Sequence, residues 1–341
     1  MPKPIRLGAA LAVLASGVLI AAVTAPPAEA ATVASRAPVV ISASMSSVSC
    51  LVASTNGTAV STEGCNHDFP IRMWWVPKPQ TGGVQLTAAN NPTRCLSVPN
   101  SSTAYDVGLI LEPCVNAARM LWRIVESSEI TYQLVNVNSG FCAEQGHLSH
   151  AVIQTGCIQE WQISPVGTVK FRAQHSGKCL DVDDSGGVAV SGALAQQWTC
   201  LGAGATNQQF TLELLTLPFW SGGECYPSCG NGHVTPAHYR LVAAHSGLCL
   251  AHNNKYANGS RVRQRPCDSQ ADIWSLYPVD MSAGRQIFKI KQQITVGSSR
   301  NTCVDVDNSN GGLDDGGKVQ IYECLDGQTN QLWALFQATE V

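Results

Sequence analysis

The sequence predicts an all-β chain of two domains, each made of three copies of one short unit. Three observations carry that expectation: a six-fold internal repeat built around paired cysteines, period-two alternation of apolar residues, and a length too great for one domain. The repeat comes first, because a fixed order of parts that recurs along a chain sets its architecture before any single residue does. Each copy runs through an alternating apolar stretch, a Ser-Gly-like turn, a cysteine followed by small apolar residues, a loop, a second cysteine and an aromatic anchor. The first cysteines are Cys50, Cys95, Cys142, Cys179, Cys249 and Cys303; the second are Cys65, Cys114, Cys157, Cys200, Cys267 and Cys324. The anchors fall at Trp74, Trp122, Trp161, Phe210, Trp274 and Trp333.

Cysteine positions alone leave connectivity open, but a repeat restricts it. Only pairing within each copy treats all six alike, which predicts Cys50–Cys65, Cys95–Cys114, Cys142–Cys157, Cys179–Cys200, Cys249–Cys267 and Cys303–Cys324. Cys225 and Cys229 remain, in an insert over 216–236, and are expected to close a seventh, local loop. A metal site at that pair would need further convergent cysteines or histidines, and none stands out.

The strand reading follows from short alternating runs broken by Gly, Asn and Ser. No stretch after the N-terminal apolar run keeps a helical period. A domain boundary is expected at Ser164-Pro165-Val166-Gly167, after the third anchor, giving domains over 43–165 and 166–341. Residues 31–42, rich in Ala, Pro and Val, read as a disordered lead.

Residues 1–30 read as an export signal. Lys3 and Arg6 precede an apolar run from Leu7 to Val23, and Ala28-Glu29-Ala30 supplies the small-residue cleavage pattern. A secreted, extracellular chain meets an oxidising environment, in which 14 cysteines read as disulfides. No other segment is apolar enough to span a bilayer, so no membrane insertion is expected after cleavage. The formal charge of -3, with 13% charged residues, argues against a general nucleic-acid binder, which needs a basic surface to meet phosphates.

The ends of the copies resemble a known family. Copy four reads Cys179-Leu180-Asp181-Val182 and Asn207-Gln208-Gln209-Phe210; copy six reads Cys303-Val304-Asp305-Val306 and Asn330-Gln331-Leu332-Trp333. These are similar to the ricin B-type β-trefoil lectins, and the resemblance runs from about 42 to 339. It implies two tandem β-trefoils, each of three pseudo-symmetric disulfide-containing lobes, with no cofactor. It also implies a carbohydrate partner, a polysaccharide or a cell-surface glycan. Galactose-type sugars are the ligands the family suggests first, with xylan- and arabinan-type ligands also among its members.

The residues give that implication a physical basis. In an extended strand, residues two apart share a face. Asp181 then shares a face with Cys179, and Gln196 and Trp198 share one with Cys200; a Cys179–Cys200 bond would clamp the two. Copy six repeats the set with Asp305, Gln320 and Tyr322. A carboxylate accepts hydrogen bonds from adjacent hydroxyls, while an aromatic ring packs on the C–H face of a pyranose. By resemblance, the sugar-holding residues are Asp181, Gln196, Trp198 and Asn207, with Gln208 in support. Their counterparts are Asp305, Gln320, Tyr322, Asn330 and Gln331. The competing reading makes both aspartates turn residues and both rings packing groups.

The other copies lack the set: Val52 and Glu63 in copy one, Ser97 and Glu112 in copy two, Glu144 and Thr155 in copy three, Ala251 and Arg265 in copy five. Copy five instead carries Arg261, Arg263 and Arg265, spaced for one strand face. Asp181-x-Asp183-x-Ser185-Gly186 resembles the start of a calcium loop, but Gly192 stands where the bidentate glutamate is needed. A catalytic role, most simply that of a glycoside hydrolase, would need two carboxylates at a defined separation, and no segment is left for a catalytic domain. No catalytic residue is therefore assigned. The N-terminal domain, with its sugar positions lost, is expected to be a spacer or a surface for a protein partner.

Overall fold

A computed structural model of the chain describes residues 37–338 except 44–48, 66–70, 129, 147–148, 222–232, 253–256, 269–272, 293–300 and 310–311. The expected signal over 1–30 and the Cys225–Cys229 bond lie outside the described residues. Among those described there is no α-helix, only strands and single 3-10 turns, and no helix long and apolar enough to cross a membrane.

The strands form two sheets of thirteen strands each, built by antiparallel pairing, and a separate two-stranded ribbon of Phe219–Ser221 with His233–Thr235. The first sheet takes strands from Val39–Ala43 to Trp161–Pro165, the second from Gly167–Ala173 to Trp333–Gln337. Within each copy the segment after the first cysteine pairs with the segment before the second. All six expected disulfides within copies are formed. The fold is that of two tandem β-trefoils.

Two expectations need correction. Residues 39–42 are not part of a disordered lead. Val39–Ala43 is a strand with all five residues buried, and it pairs with Trp161–Pro165 from Val39↔Pro165 to Ala43↔Trp161. The Val-Val-Ile run is β-branched and buries well on a pleated surface, which outweighs the low-complexity look of the segment. The anchor of copy one is Trp75, not Trp74. Trp75 is fully buried and its indole N–H donates to the Leu51 carbonyl at 2.9 Å, whereas Trp74 is only partly buried.

That bond reveals the rule for the tryptophan anchors. Trp122 donates to Leu96 O at 3.1 Å, Trp161 to Ala143 O at 2.7 Å, Trp274 to Leu250 O at 2.7 Å and Trp333 to Val304 O at 3.1 Å. In each case the acceptor is the residue after the first cysteine of the same copy. An indole buried this way needs a partner for its one donor. Phe210 of copy four has no donor, and packs edge-to-face on Phe171 instead.

The Ser-Gly turn also has a physical cause. Gly140, Gly177 and Gly247 sit at φ 76°, 69° and 69°, where a Cβ is disfavoured. The serine before each glycine donates to a glutamine three residues before the second cysteine: Ser139 to Gln154, Ser176 to Gln197 and Ser246 to Gln264, at 2.7–2.8 Å. Each of these buried glutamines then donates onward to a loop of the neighbouring lobe. Gln154 reaches Ala104 O, Gln197 reaches Gly312 O and Asp314 O, and Gln264 reaches Val190 O. One amide thus ties turn, hairpin and next lobe together. Gln197→Leu should leave Ser176 and two loop carbonyls unmet and cost roughly 1–3 kcal/mol. Denaturant unfolding of the full chain measures this, and an unchanged midpoint would remove the linking role.

Candidate functional site

In copy four, the strands Cys179–Val182 and Ala195–Trp198 pair with Cys179 opposite Trp198 and Asp181 opposite Gln196. In copy six, Thr302–Val306 and Gly317–Glu323 pair with Cys303 opposite Tyr322 and Asp305 opposite Gln320. Cross-strand partners point to the same side of a sheet. Each hairpin therefore sets its acid, amide and ring along one face, and a disulfide closes its base.

The carboxylates are held by amides. Asp181 Oδ1 accepts from Gln196 at 2.9 Å, and Oδ2 accepts from Asn207 at 2.9 Å and Gln208 at 3.1 Å. Asp305 repeats this atom for atom, with Gln320 at 2.9 Å, Asn330 at 2.8 Å and Gln331 at 3.0 Å. Asn207 and Asn330 arrive on single 3-10 turns, Thr206–Gln208 and Thr329–Gln331. Gln208 is itself pinned, accepting from Leu201 N and donating to Thr199 O; Gln331 does the same with Leu325 N and Glu323 O. All ten residues named from the sequence are therefore brought into two matching clusters.

Burial works against the charge on these acids. It pushes the Asp181 carboxyl up to about 6, against the hydrogen bonds from Gln196 and Gln208, with Asp184 and Asp183 adding repulsion. Asp305 is raised for the same first reason. The rings behave differently: Trp198 is 38% exposed. A buried acid beside an exposed indole, at one hairpin end, leaves an apolar plate next to a concealed acceptor.

Around copy six the hairpin opens into a depression of about 250 Å3, lined by Asp305, Gln320, Tyr322, Asn330, Asp307 and Gln328 among others. Asn330 Oδ1 is buried in this lining without a hydrogen-bond partner. Asp307, Asn308, Ser309, Leu325 and Gln328 are wall residues that sequence reasoning passed over. Their signal was present, since Asp-x-Ser recurs two residues after each site aspartate. Asp183 and Asp307 each accept from a backbone N–H two residues on, Ser185 and Ser309, at 3.1 Å. These turns account for the calcium-like spacing. Among the described residues, no group of three or more His, Cys, Asp or Glu side chains could hold a metal ion.

The neighbouring lobe completes each site, which a single copy read alone does not disclose. Lys318 pairs opposite Gln196, and Arg261 pairs opposite Gln320. A Cβ on Gly316 would fall 3.9 Å from the Trp198 ring, so backbone of copy six flanks that indole. Asp315 fixes the same loop, accepting from Thr199 N at 2.6 Å and pairing with Lys178 at 2.7 Å.

The notches of copies one, two and three are filled from within. In copy two, Ser97 donates to Glu112, which also pairs with Arg119 at 3.0 Å. In copy one, Glu63 pairs with Arg72 at 2.9 Å. In copy three, the buried Glu144 accepts from Ile158 N.

Comparison with known proteins identifies the family. The ricin-type β-trefoil lectin domain model matches residues 237–341. The related ricin-type β-trefoil lectin domain-like model matches 72–151 and 158–218. The chain belongs to the ricin-type β-trefoil lectin family, whose domains bind carbohydrate. Similar solved structures include a designed three-fold symmetric protein, ThreeFoil, at 29% identity, covering 50% of this chain and 99% of that one, with a TM-score of 0.36. The ricin B-like lectin of Macrolepiota procera, solved with lactose, is 19% identical over 52% of this chain and 99% of its own, TM-score 0.35. The agglutinin from Abrus precatorius is 13% identical over 89% and 97%, TM-score 0.32. No curated protein matches.

Proposed function

We propose that this chain is a secreted, non-catalytic lectin that holds galactose-type sugars at two sites, both in its C-terminal half. The division taken is 43–165, extended back to Val39, for the N-terminal trefoil and 166–341 for the C-terminal one. The observation that carries the reading is the duplicated cluster. Two acids, each fixed by three amides and set beside a ring, stand in register in copies four and six. Packing alone does not require a buried carboxylate twice at one position.

The chemistry follows from the atoms. Each aspartate keeps about one acceptor position beyond the three its amides use, because a carboxylate has about four. A sugar hydroxyl donates to it. Trp198 or Tyr322 covers the C–H face of the pyranose, which in galactose is a continuous apolar patch. A single shallow site of this kind binds at about the millimolar level. Two on one rigid trefoil gain avidity on a multivalent glycan. The first thirty residues, read as an export signal, and the six disulfides support extracellular work.

Immobilised galactose tests this reading. The mature chain should be retained at pH 8 and eluted by free galactose, and a Trp198→Ala plus Tyr322→Ala variant should flow through. Retention should also weaken as pH falls through about 6. The sugar needs the ionised Asp181, whose carboxyl is raised to about 6, so acid removes the acceptor; Asp305 shifts in the same direction. Equal retention of the double variant, or flow-through of the unsubstituted chain on galactose and on a broad glycan array, would refute the proposal.

A further inference from the structure

We infer that copy five carries a third saccharide site, selective for acidic chains: its notch is built like the other two, with alanine in place of the acid and arginine in place of the amide and the ring. The inference stands independently of the galactose reading, since none of those ten residues belongs to the row.

The frame is intact. Cys249–Ala251 pairs with Arg263–Arg265, Cys249 opposite Arg265 and Ala251 opposite Arg263, and Cys249–Cys267 closes the base. This is the register that sets Cys179 opposite Trp198 and Asp181 opposite Gln196. Arg263 therefore occupies the amide position, Arg265 the ring position, and the small, fully buried Ala251 the carboxylate position. Arg261 lengthens the row. Burial alternates along it: Val262 and Gln264 are fully buried, while the three arginines are half-buried. All three guanidinium groups thus leave one face, roughly 7 Å apart along the strand.

Two arginines of the row stand apart from the others of the chain. Arg72, Arg119, Arg240 and Arg285 each pair with an acid. Arg261 and Arg263 form no ion pair among the described residues, and Arg261 Nη1 and Arg263 Nε are buried without a hydrogen-bond partner. Aligned like charges repel, so the row is kept at a cost in stability. Global charge does not explain it, since the chain is net acidic at -3. Nor does protection of an exposed sheet edge, the usual reason for basic residues on a strand. Arg263 is paired on both sides, by Ala251 and by a bridge to Leu194. Gln264 fixes the strand from below through Ser246 and Val190. The neighbouring imidazole of His252 is held neutral, by burial first and by Arg265 second, at about 4.

A planar guanidinium fork matches a carboxylate or a sulfate, which accept two parallel hydrogen bonds. A row of such forks fits a polysaccharide whose anionic groups recur along the chain. Arg261 also stands opposite Gln320, so the row begins beside the copy-six site and runs into the copy-five notch.

The test uses the full mature chain with polygalacturonate as the carboxylate probe, dextran sulfate as the sulfate probe, and dextran and a DNA duplex as controls. Salt is held at about 150 mM, where charges beyond roughly 8 Å are screened. At least one anionic polysaccharide should bind, identifying the group read, while dextran does not and DNA binds more weakly. Arg261→Gln and Arg263→Gln should each lower that affinity about tenfold or more, and Arg263→Gln, which lies outside the copy-six site, should leave melting temperature and galactose retention unchanged. Arg263→Lys, which keeps the charge but not the fork, should fall between. Asp181→Asn plus Asp305→Asn should leave polyanion binding intact. Failure of both anionic probes, equal binding to DNA, or affinity unmoved in both glutamine variants would overturn the inference.

Discussion

Asp181→Asn combined with Asp305→Asn should abolish sugar binding while the protein melts no lower than the unsubstituted chain at pH 7. The two halves of this expectation have one cause. The Asp181 carboxyl sits at about 6 in the folded chain, against an ordinary value of 3.8, because burial opposes its charge. A carboxyl raised on folding is most favourable to the fold below its unfolded pKa, and that advantage is lost as pH rises through the folded value. At pH 7 holding the ion costs the fold on the order of 3 kcal/mol. Asparagine removes the charge and keeps the shape. Its oxygen can accept from Asn207 and Gln208, and Gln196 turns its amide to accept from the new NH2. Calorimetric or fluorescence melting should therefore show equal or higher stability. Binding loses acceptors that only an anion supplies. One charge-assisted hydrogen bond at about 1.5–3 kcal/mol amounts to roughly ten- to a hundredfold at each site. Titration with galactose should show heat for two sites in the unsubstituted chain, one in either single variant and none in the double. A double variant that binds normally removes the aspartates from the site. One that unfolds makes them structural residues, the rival reading of the sequence.

Much of this arrangement was legible because a repeat multiplies weak signals. A lone Cys-x-Asp-Val has many explanations; the same run in two copies, with Gln-x-aromatic before the second cysteine and Asn-Gln after it, fixes face, clamp and cap together. Disulfide pairing was legible for the same reason. Contacts between copies were not. Gly316 beside Trp198, Lys318 opposite Gln196 and Arg261 opposite Gln320 lie far apart in sequence, and the pseudo-three-fold packing alone brings them together. Trp74 and Trp75 show another limit. In a strand, neighbours face opposite ways, so a shift of one residue exchanges core for surface; the adjacent tryptophans look alike until Leu51 O is seen to take the Trp75 proton. Residues 39–42 were misread because composition was weighed ahead of β-branching, and a strand of Val and Ile buried on both faces has no alternation to display.

Trp333→Ala should be among the most damaging single changes in the C-terminal trefoil, costing about 3–5 kcal/mol. The side chain is fully buried, and its N–H satisfies Val304 O at 3.1 Å, one residue from Asp305. Truncation removes a large apolar volume and leaves a buried carbonyl unmet, two penalties that add. Backbone next to the site aspartate also loses its brace: Val304 and Asp305 share a strand with Cys303, which the disulfide still holds. Galactose binding at copy six should therefore weaken beyond what stability loss alone explains, while copy four, held by Phe210, is spared. For a domain of this size the cost corresponds to a drop of roughly 10 °C in melting temperature. Trp333→Phe separates the terms. It keeps most of the volume and loses only the N–H, as copy four does naturally with Phe210, so it should cost about 1–3 kcal/mol. Thermal melting of both variants, with titration at a temperature where each is folded, measures all of this. An alanine variant within a few degrees of the unsubstituted chain would show that the six anchors are not the shared keystone of the lobes, and that the disulfides alone hold each hairpin in place.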